Sequence, residues 1–267
     1  MPVLLICTVK TMSTMWSYSV QCVICGKESK QTQITSYSNF KGPDLDFRPP
    51  PRYRETMDFW IQECPFCGYI NTRLDASADF TEETIKKAHE EIESGFDWDK
   101  AYAEQLDELG ALFTRSGKDA ATVQYLLKEG VDWDRKFAMR FAKFGFMLAK
   151  SGNHNEAAKQ FLITAWYFDD DKNEPCATYW RKMARKQIEL IPPPYDEILK
   201  CIYADILRRT GDFPSALGMD ENGINDSTHI RMIKYQKELS KQGDRSAHKI
   251  IETGDDKYSD PGMCFLF

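Results

Sequence analysis

Two copies of the pattern Cys-x-x-Cys-Gly, at residues 22–26 and 64–68, contain the side chains in this chain best suited to chemistry. Each copy brings two thiolates to the separation that one metal ion needs. The glycine that follows can adopt a positive φ, which turns backbone N–H groups toward the sulfurs. The pattern therefore predicts one four-cysteine site for one Zn²⁺ ion, with the ligands Cys22, Cys25, Cys64 and Cys67.

A four-cysteine site leaves no open coordination position for water or substrate, so the predicted zinc is structural. A redox role would require one Cys-x-x-Cys pair at the start of a helix in a βαβ unit, and no such unit is evident. The four histidines are scattered and match neither a metalloprotease motif nor a nucleophile elbow. We therefore identify no catalytic residue and expect a protein without enzymatic activity.

A polar loop between the two patterns is the second candidate site. Asp44, Asp46 and Arg48 lie close together, and the prolines at 49–51 stiffen the chain behind them. Two carboxylates and a guanidinium could bind a polar ligand or support hydrolysis. The alternative is that the aspartates cap turns and the arginine forms an ion pair.

Composition narrows the choice of partners. The 267 residues carry a formal net charge of −6, and all of the excess acid follows residue 80. That balance argues against nucleic acid, which is bound mainly through Lys and Arg. The alternative of a nucleic-acid-binding or transcription-associated ribbon would need a shared basic face made of Lys27, Lys30, Lys41, Arg48, Arg52 and Arg54. No signal peptide or membrane-spanning stretch is evident. Cys-x-x-Cys motifs whose cysteines do not belong to a disulfide framework favour the reducing cytoplasm.

The remainder of the chain is expected to form helical repeats. Residues 96–130 align with 131–165, placing Trp98 on Trp133 and Gly117 on Gly152, with a period of 35. A period near 34 residues is typical of tetratricopeptide arrays. In the second copy, Gly145 should allow two helices to approach closely at Phe161.

A third, weaker copy spans residues 203–216, after an extra helix near 176–190. A helix over 227–242 would cap the array. Within the extra helix, the basic residues at 181, 182, 185 and 186 are expected to form a solvated face. The fold class is therefore α+β and mostly α, with a small β zinc ribbon before a tetratricopeptide-like domain. The alternating Thr- and Ile-rich residues 31–37 and the aromatic residues 57–62 predict the strands of the ribbon. The expected divisions are a ribbon module at 1–78, helical repeats at 79–245 and a partly disordered tail at 246–267.

Three features of the sequence carry a resemblance to a known family. They are the two cysteine patterns, the loop Gly42-Pro43-Asp44-Leu45-Asp46-x-Arg48-Pro49 and the segment Trp60-Ile61-Gln62-Glu63. The chain resembles an uncharacterised bacterial family, a domain of unknown function in which a zinc ribbon precedes tetratricopeptide-like helices. The resemblance covers most of residues 16–220 and implies no activity. Together with the repeat, it leads to the expectation of a non-enzymatic adaptor whose helical groove binds a protein or peptide.

Overall fold

The structure of the protein, a computed structural model, describes residues 14–36, 42–76, 80–95 and 137–254. The N-terminal part contains two antiparallel hairpins, each closed by one cysteine pattern. The first joins β1 (Thr14–Gln21) to β2 (Glu28–Ser36), and the second joins β3 (Gln62–Glu63) to β4 (Ile70–Asn71). The Thr- and Ile-rich alternation predicted a strand over 31–37, and β2 confirms it across the described residues. The pairing strand β1 was not predicted.

The segment before the second pattern differs from the sequence prediction. Residues 57–62 were expected to form a strand, but they begin with a 3₁₀ helix, Met57–Phe59. A short helix, α1 (Pro51–Arg54), precedes it, with proline at its first position. Proline fits there because its fixed φ suits the first turn and its missing N–H is not needed. The backbone before Met57 is therefore helical rather than extended. The Met57 side chain is buried.

Helices make up the rest of the described chain. They are α2 (Glu82–Gly95), α3 (described over 137–150), α4 (His154–Asp170), α5 (Glu174–Ile188), α6 (Glu197–Arg209), α7 (Phe213–Leu217), α8 (Ser227–Lys241) and a final 3₁₀ helix (Ile250–Thr253). The predicted extra helix and capping helix correspond to α5 and α8. The first repeat copy, at 96–130, lies outside the described residues. None of the described helices combines the length and apolar character needed to cross a bilayer.

Three helix connections, α3–α4, α4–α5 and α6–α7, use the same turn. The second turn residue has a positive φ, at Gly152, Lys172 and Gly211. The residue after it donates its backbone N–H to a carbonyl five positions earlier, at 2.8–2.9 Å, and its side chain caps the next helix. This left-handed ending satisfies carbonyls that the helix leaves unpaired. The three connections therefore fold the chain back on itself with short loops.

Close packing between α3 and α4 confirms one expectation from the sequence. A Cβ added at Gly145 would lie 2.7 Å from Cε1 of Phe161, so only glycine fits this helix crossing. Ala157 and Phe161 on α4 are both fully buried. The equivalent second helix of the third copy, α7, has only five residues. The mostly helical α+β class is therefore observed, with its small sheets near the N-terminus.

Candidate metal centre and the adjoining loop

The four predicted cysteine ligands converge at one point. Their sulfur atoms all lie within 4.8 Å of one another. The Sγ–Sγ distance is 3.7 Å both between Cys22 and Cys67 and between Cys25 and Cys64, so each pattern contributes to both pairs. Within the described ranges, this is the one group of three or more potential metal-ligating side chains that comes together.

The two cysteine patterns have the same local geometry. In the first, the Cys22 N–H donates to the Lys27 carbonyl at 2.9 Å, and the Gly26 N–H donates to the Cys22 carbonyl at 2.8 Å. In the second, the corresponding bonds run from Cys64 and Gly68, at 2.8 and 2.9 Å. Both glycines adopt the expected positive φ, 70° and 71°. The repeated turn places two pairs of sulfurs opposite each other.

The environment of the thiols favours a bound cation. Burial raises the pKa of Cys22 and of Cys67. A hydrogen bond from the Lys27 backbone instead lowers the pKa of Cys25. Thiolates are the metal-binding form, and a cation between the sulfurs would offset the cost of deprotonating the two buried groups. The donor set fits a four-coordinate metal ion.

The second candidate site, the polar loop, is buried rather than open. Asp44, Asp46 and Arg48 are 6%, 2% and 7% exposed. The Arg48 Nε donates to Asp44 Oδ2 at 2.7 Å, and Asp46 Oδ2 accepts from the Trp166 Nε1 at 2.8 Å. Phe47 adopts a φ of 62°, and its N–H donates to the Asp44 carbonyl at 2.9 Å, which closes the turn between Asp44 and Arg48. All three charged side chains therefore have partners within the protein.

The loop docks on a cluster of charges, all but Asp170 largely buried, at the C-terminal ends of α4 and α6 and in the middle of α5. At its centre, Asp169 accepts from both Nη atoms of Arg181 and from both Nη atoms of Arg209, and it lies 3.4 Å from Arg48. Arg48 also lies 3.5 Å from Asp170. We call this set the arginine–aspartate cluster: Arg48, Arg181, Arg209, Asp44, Asp46, Asp169 and Asp170.

The cluster corrects one prediction about α5. Arg181 was expected on a solvated basic face, but it is 2% exposed and bonded to Asp169. Its neighbour one turn later, Arg185, is half-buried and pairs with Glu189 and Asp212. The importance of Asp169 and Arg209 was missed altogether. In the sequence, these two residues are marked only by their charge and by their position at a helix end. Charged residues at helix ends are also common on exposed surfaces.

Electrostatics within the cluster follows from burial and pairing. Burial alone would raise the pKa of Asp169, but Arg181 and Arg209 hold that pKa far below its usual range. For Asp44, burial prevails and raises the pKa despite the adjacent Arg48. Burial would lower the pKa of Arg209, but Asp169 and Asp205 raise it. Asp169 is thus the carboxylate that the surrounding guanidinium groups stabilise most clearly.

The basic face required for nucleic-acid binding does not form from the arginines that the structure describes. Arg48 is buried in the cluster, and Arg54 pairs with Asp170. The Lys27 ammonium lies 5.0 Å from the centre of the Phe66 ring. Lys41 and the side chain of Arg52 lie outside the described residues.

Comparisons with protein-family models, with curated proteins and with solved structures find no match to this chain.

Proposed function

We propose that this protein is a zinc-stabilised, non-enzymatic adaptor whose tetratricopeptide-like helices bind a protein or peptide partner. The observation that carries the proposal is the closed set of four sulfurs formed by two matching cysteine patterns. A metal held by four protein ligands has no free position for substrate, which favours a structural role. The helical part then provides the surface that is available to bind a partner.

Zinc is the ion that we propose for this site, because four-cysteine sites built from two such patterns are typical of structural zinc. A tetrahedral site with Zn–S bonds of about 2.3 Å has sulfurs about 3.8 Å apart. The two Sγ–Sγ distances of 3.7 Å agree with that value. Cys22, Cys25, Cys64 and Cys67 would hold the ion, and the metal would tie the two hairpins into one unit.

The adaptor role is supported by the stacked helices and by apolar side chains that remain on their surface. Ile198 on α6 is 45% exposed, and Leu190, just after α5, is 58% exposed. Large apolar side chains in solvent are common singly, but on a repeat surface they supply the contacts that a peptide groove uses. We assign α6 to the partner-binding surface of the array.

Site-specific photocrosslinking in cells tests the adaptor proposal. A benzophenone amino acid at position 198 should give a discrete covalent adduct with a protein, whereas the same group at the exposed Lys186 on α5 should not. Replacing Leu190 with Glu in the position-198 protein should weaken the adduct. Equal labelling at the two positions, or no adduct at 198, would count against partner binding through α6.

A further inference from the structure

A cavity of about 460 Å³ lies between the N-terminal part and helices α3 and α4. Tyr53 and Trp60 line it from the segment before the second cysteine pattern. Phe141, Ile163 and Trp166 line it from the two helices. Its volume is in the range of small-molecule sites, about 300–1,000 Å³, and its walls are mainly aromatic and aliphatic, as those of such sites usually are. The cavity is separate from the metal centre, since no cysteine lines it.

The two tryptophans present ring surface rather than hydrogen-bond donors. The Trp60 Nε1 already donates to Thr56 Oγ1 at 3.0 Å, and the Trp166 Nε1 donates to Asp46 Oδ2 at 2.8 Å. Tyr53 packs against Trp60 with ring centroids 5.3 Å apart. Fixed aromatic faces of this kind favour a flat, apolar ligand.

The charged groups that line the cavity are compensated. Asp46 accepts from Trp166 and from the Arg48 backbone N–H, and two cluster arginines lie within 3.8 Å of it. Lys159 and Glu156 pair with each other at 2.7 Å. A charged ligand would therefore find no unpaired countercharge in these side chains, so the lining favours a neutral molecule.

Gln160 is a buried polar wall group with an unpaired acceptor. It is 9% exposed, and its Oε1 has no hydrogen-bond partner. A buried amide oxygen without a partner is destabilising, and a ligand that supplies a donor removes that cost. A carboxamide pairs best with another amide-like edge, in which an N–H stands beside a C=O, because the two groups then exchange two hydrogen bonds.

We propose that this cavity binds a neutral, planar aromatic molecule with an amide-like edge, and that Gln160 is the residue that recognises that edge. Tyr53, Trp60 and Trp166 would enclose the ring. A modest rotation of the Gln160 amide would present its oxygen to the ligand. This site is independent of the adaptor proposal, since it requires neither a protein partner nor the outer face of α6.

Isothermal titration of the full chain, with its metal, tests the proposal with isoquinolin-1(2H)-one as the probe. Its N-methyl derivative is the matched control, since it keeps the ring and loses the donor. We expect saturable 1:1 binding of the probe and binding of the N-methyl compound weaker by roughly tenfold, the effect of leaving a buried polar group unpaired. In Gln160→Met, which has nearly the same side-chain shape, the two compounds should bind equally weakly.

A second variant removes the cavity without touching Gln160. Ile163→Trp should fill the space and abolish binding of both compounds, with far-UV circular dichroism confirming that the helices remain folded. The proposal is overturned if the wild-type chain does not bind the probe, or if it binds the probe and the N-methyl compound equally. Either result would leave photocrosslinking at position 198 unaffected.

Discussion

Asp169 is the side chain whose removal should most sharply test the arginine–aspartate cluster. Replacing it with Asn keeps the shape but removes the charge between two buried guanidinium groups. Arg181 and Arg209 both donate to it through two nitrogens. Breaking a buried pair by removing one partner costs about 3–5 kcal/mol, because the remaining charge is uncompensated. Here two arginines lose their hydrogen-bonded carboxylate but keep Asp46 at 3.6–3.8 Å, so we expect the lower part of that range at pH 7.

The pH dependence gives the same prediction a second, independent readout. The folded-state pKa of Asp169 lies below its unfolded value, near 3.9. Its stabilising contribution is therefore complete above the unfolded pKa and is lost as the pH falls through the folded one. The cost of Asp169→Asn should be about 1 kcal/mol smaller at pH 3 than at pH 7. The raised pKa of Asp44 and of Asp170 acts in the opposite sense, and for Asp170 the variant reduces that rise, because the Asp169 charge contributes to it.

Urea unfolding at the two pH values, followed by circular dichroism, measures both quantities. The control is Asp75→Asn, whose partner Arg73 is largely exposed, so solvent screening leaves this pair little effect on stability. A cost for Asp169→Asn no larger than that of the control at pH 7 would refute the cluster as a stabilising contact. A cost that does not decrease at pH 3 would refute the assignment of the lowered pKa to Asp169.

Three further changes test other parts of the structure. Gly68→Ala should destabilise the second cysteine pattern by more than backbone strain alone, because the added Cβ would force the His89 ring to move. Gly26→Ala has the same positive φ but open space around it, and should cost only the backbone strain of about 1–2 kcal/mol, measured by thermal unfolding. Gly145→Ala should cost about 1–3 kcal/mol through its clash with Phe161, and a neutral effect in urea unfolding would contradict the close helix crossing. Removal of the metal with a chelator should unfold the N-terminal hairpins while the helical circular dichroism signal largely persists; a fully cooperative loss of both would show that the two parts fold as one unit.

The metal centre could be predicted from the sequence because its information is local. Each pattern specifies two ligands, a turn and a glycine within five residues, and the structure brings the four sulfurs together. The connection between α3 and α4 was predictable for the same reason, since Gly145 and Gly152 mark a close crossing and a helix end.

The position of the polar loop could not be predicted, because its partners are distant in sequence. Asp46 meets Trp166 across 120 residues, and Arg48 meets Asp170 across 122. No periodicity links such pairs, so local sequence could favour ion pairing over ligand binding for the loop but could not identify the distant partners. The strand expected over 57–62 failed for a related reason. Aromatic residues there favour a strand by propensity, but Met57 is buried in a 3₁₀ turn after α1.

The most direct test of the central claim is the metal content of the purified protein, measured by plasma mass spectrometry. The wild-type chain should contain about one zinc per chain. The variant Cys201→Ser, which alters a buried cysteine outside the four-cysteine site, should contain the same amount. Cys64→Ser should contain almost none. Absence of zinc from the wild-type protein, iron in its place, or unchanged zinc in Cys64→Ser would contradict a structural zinc site at the four cysteines.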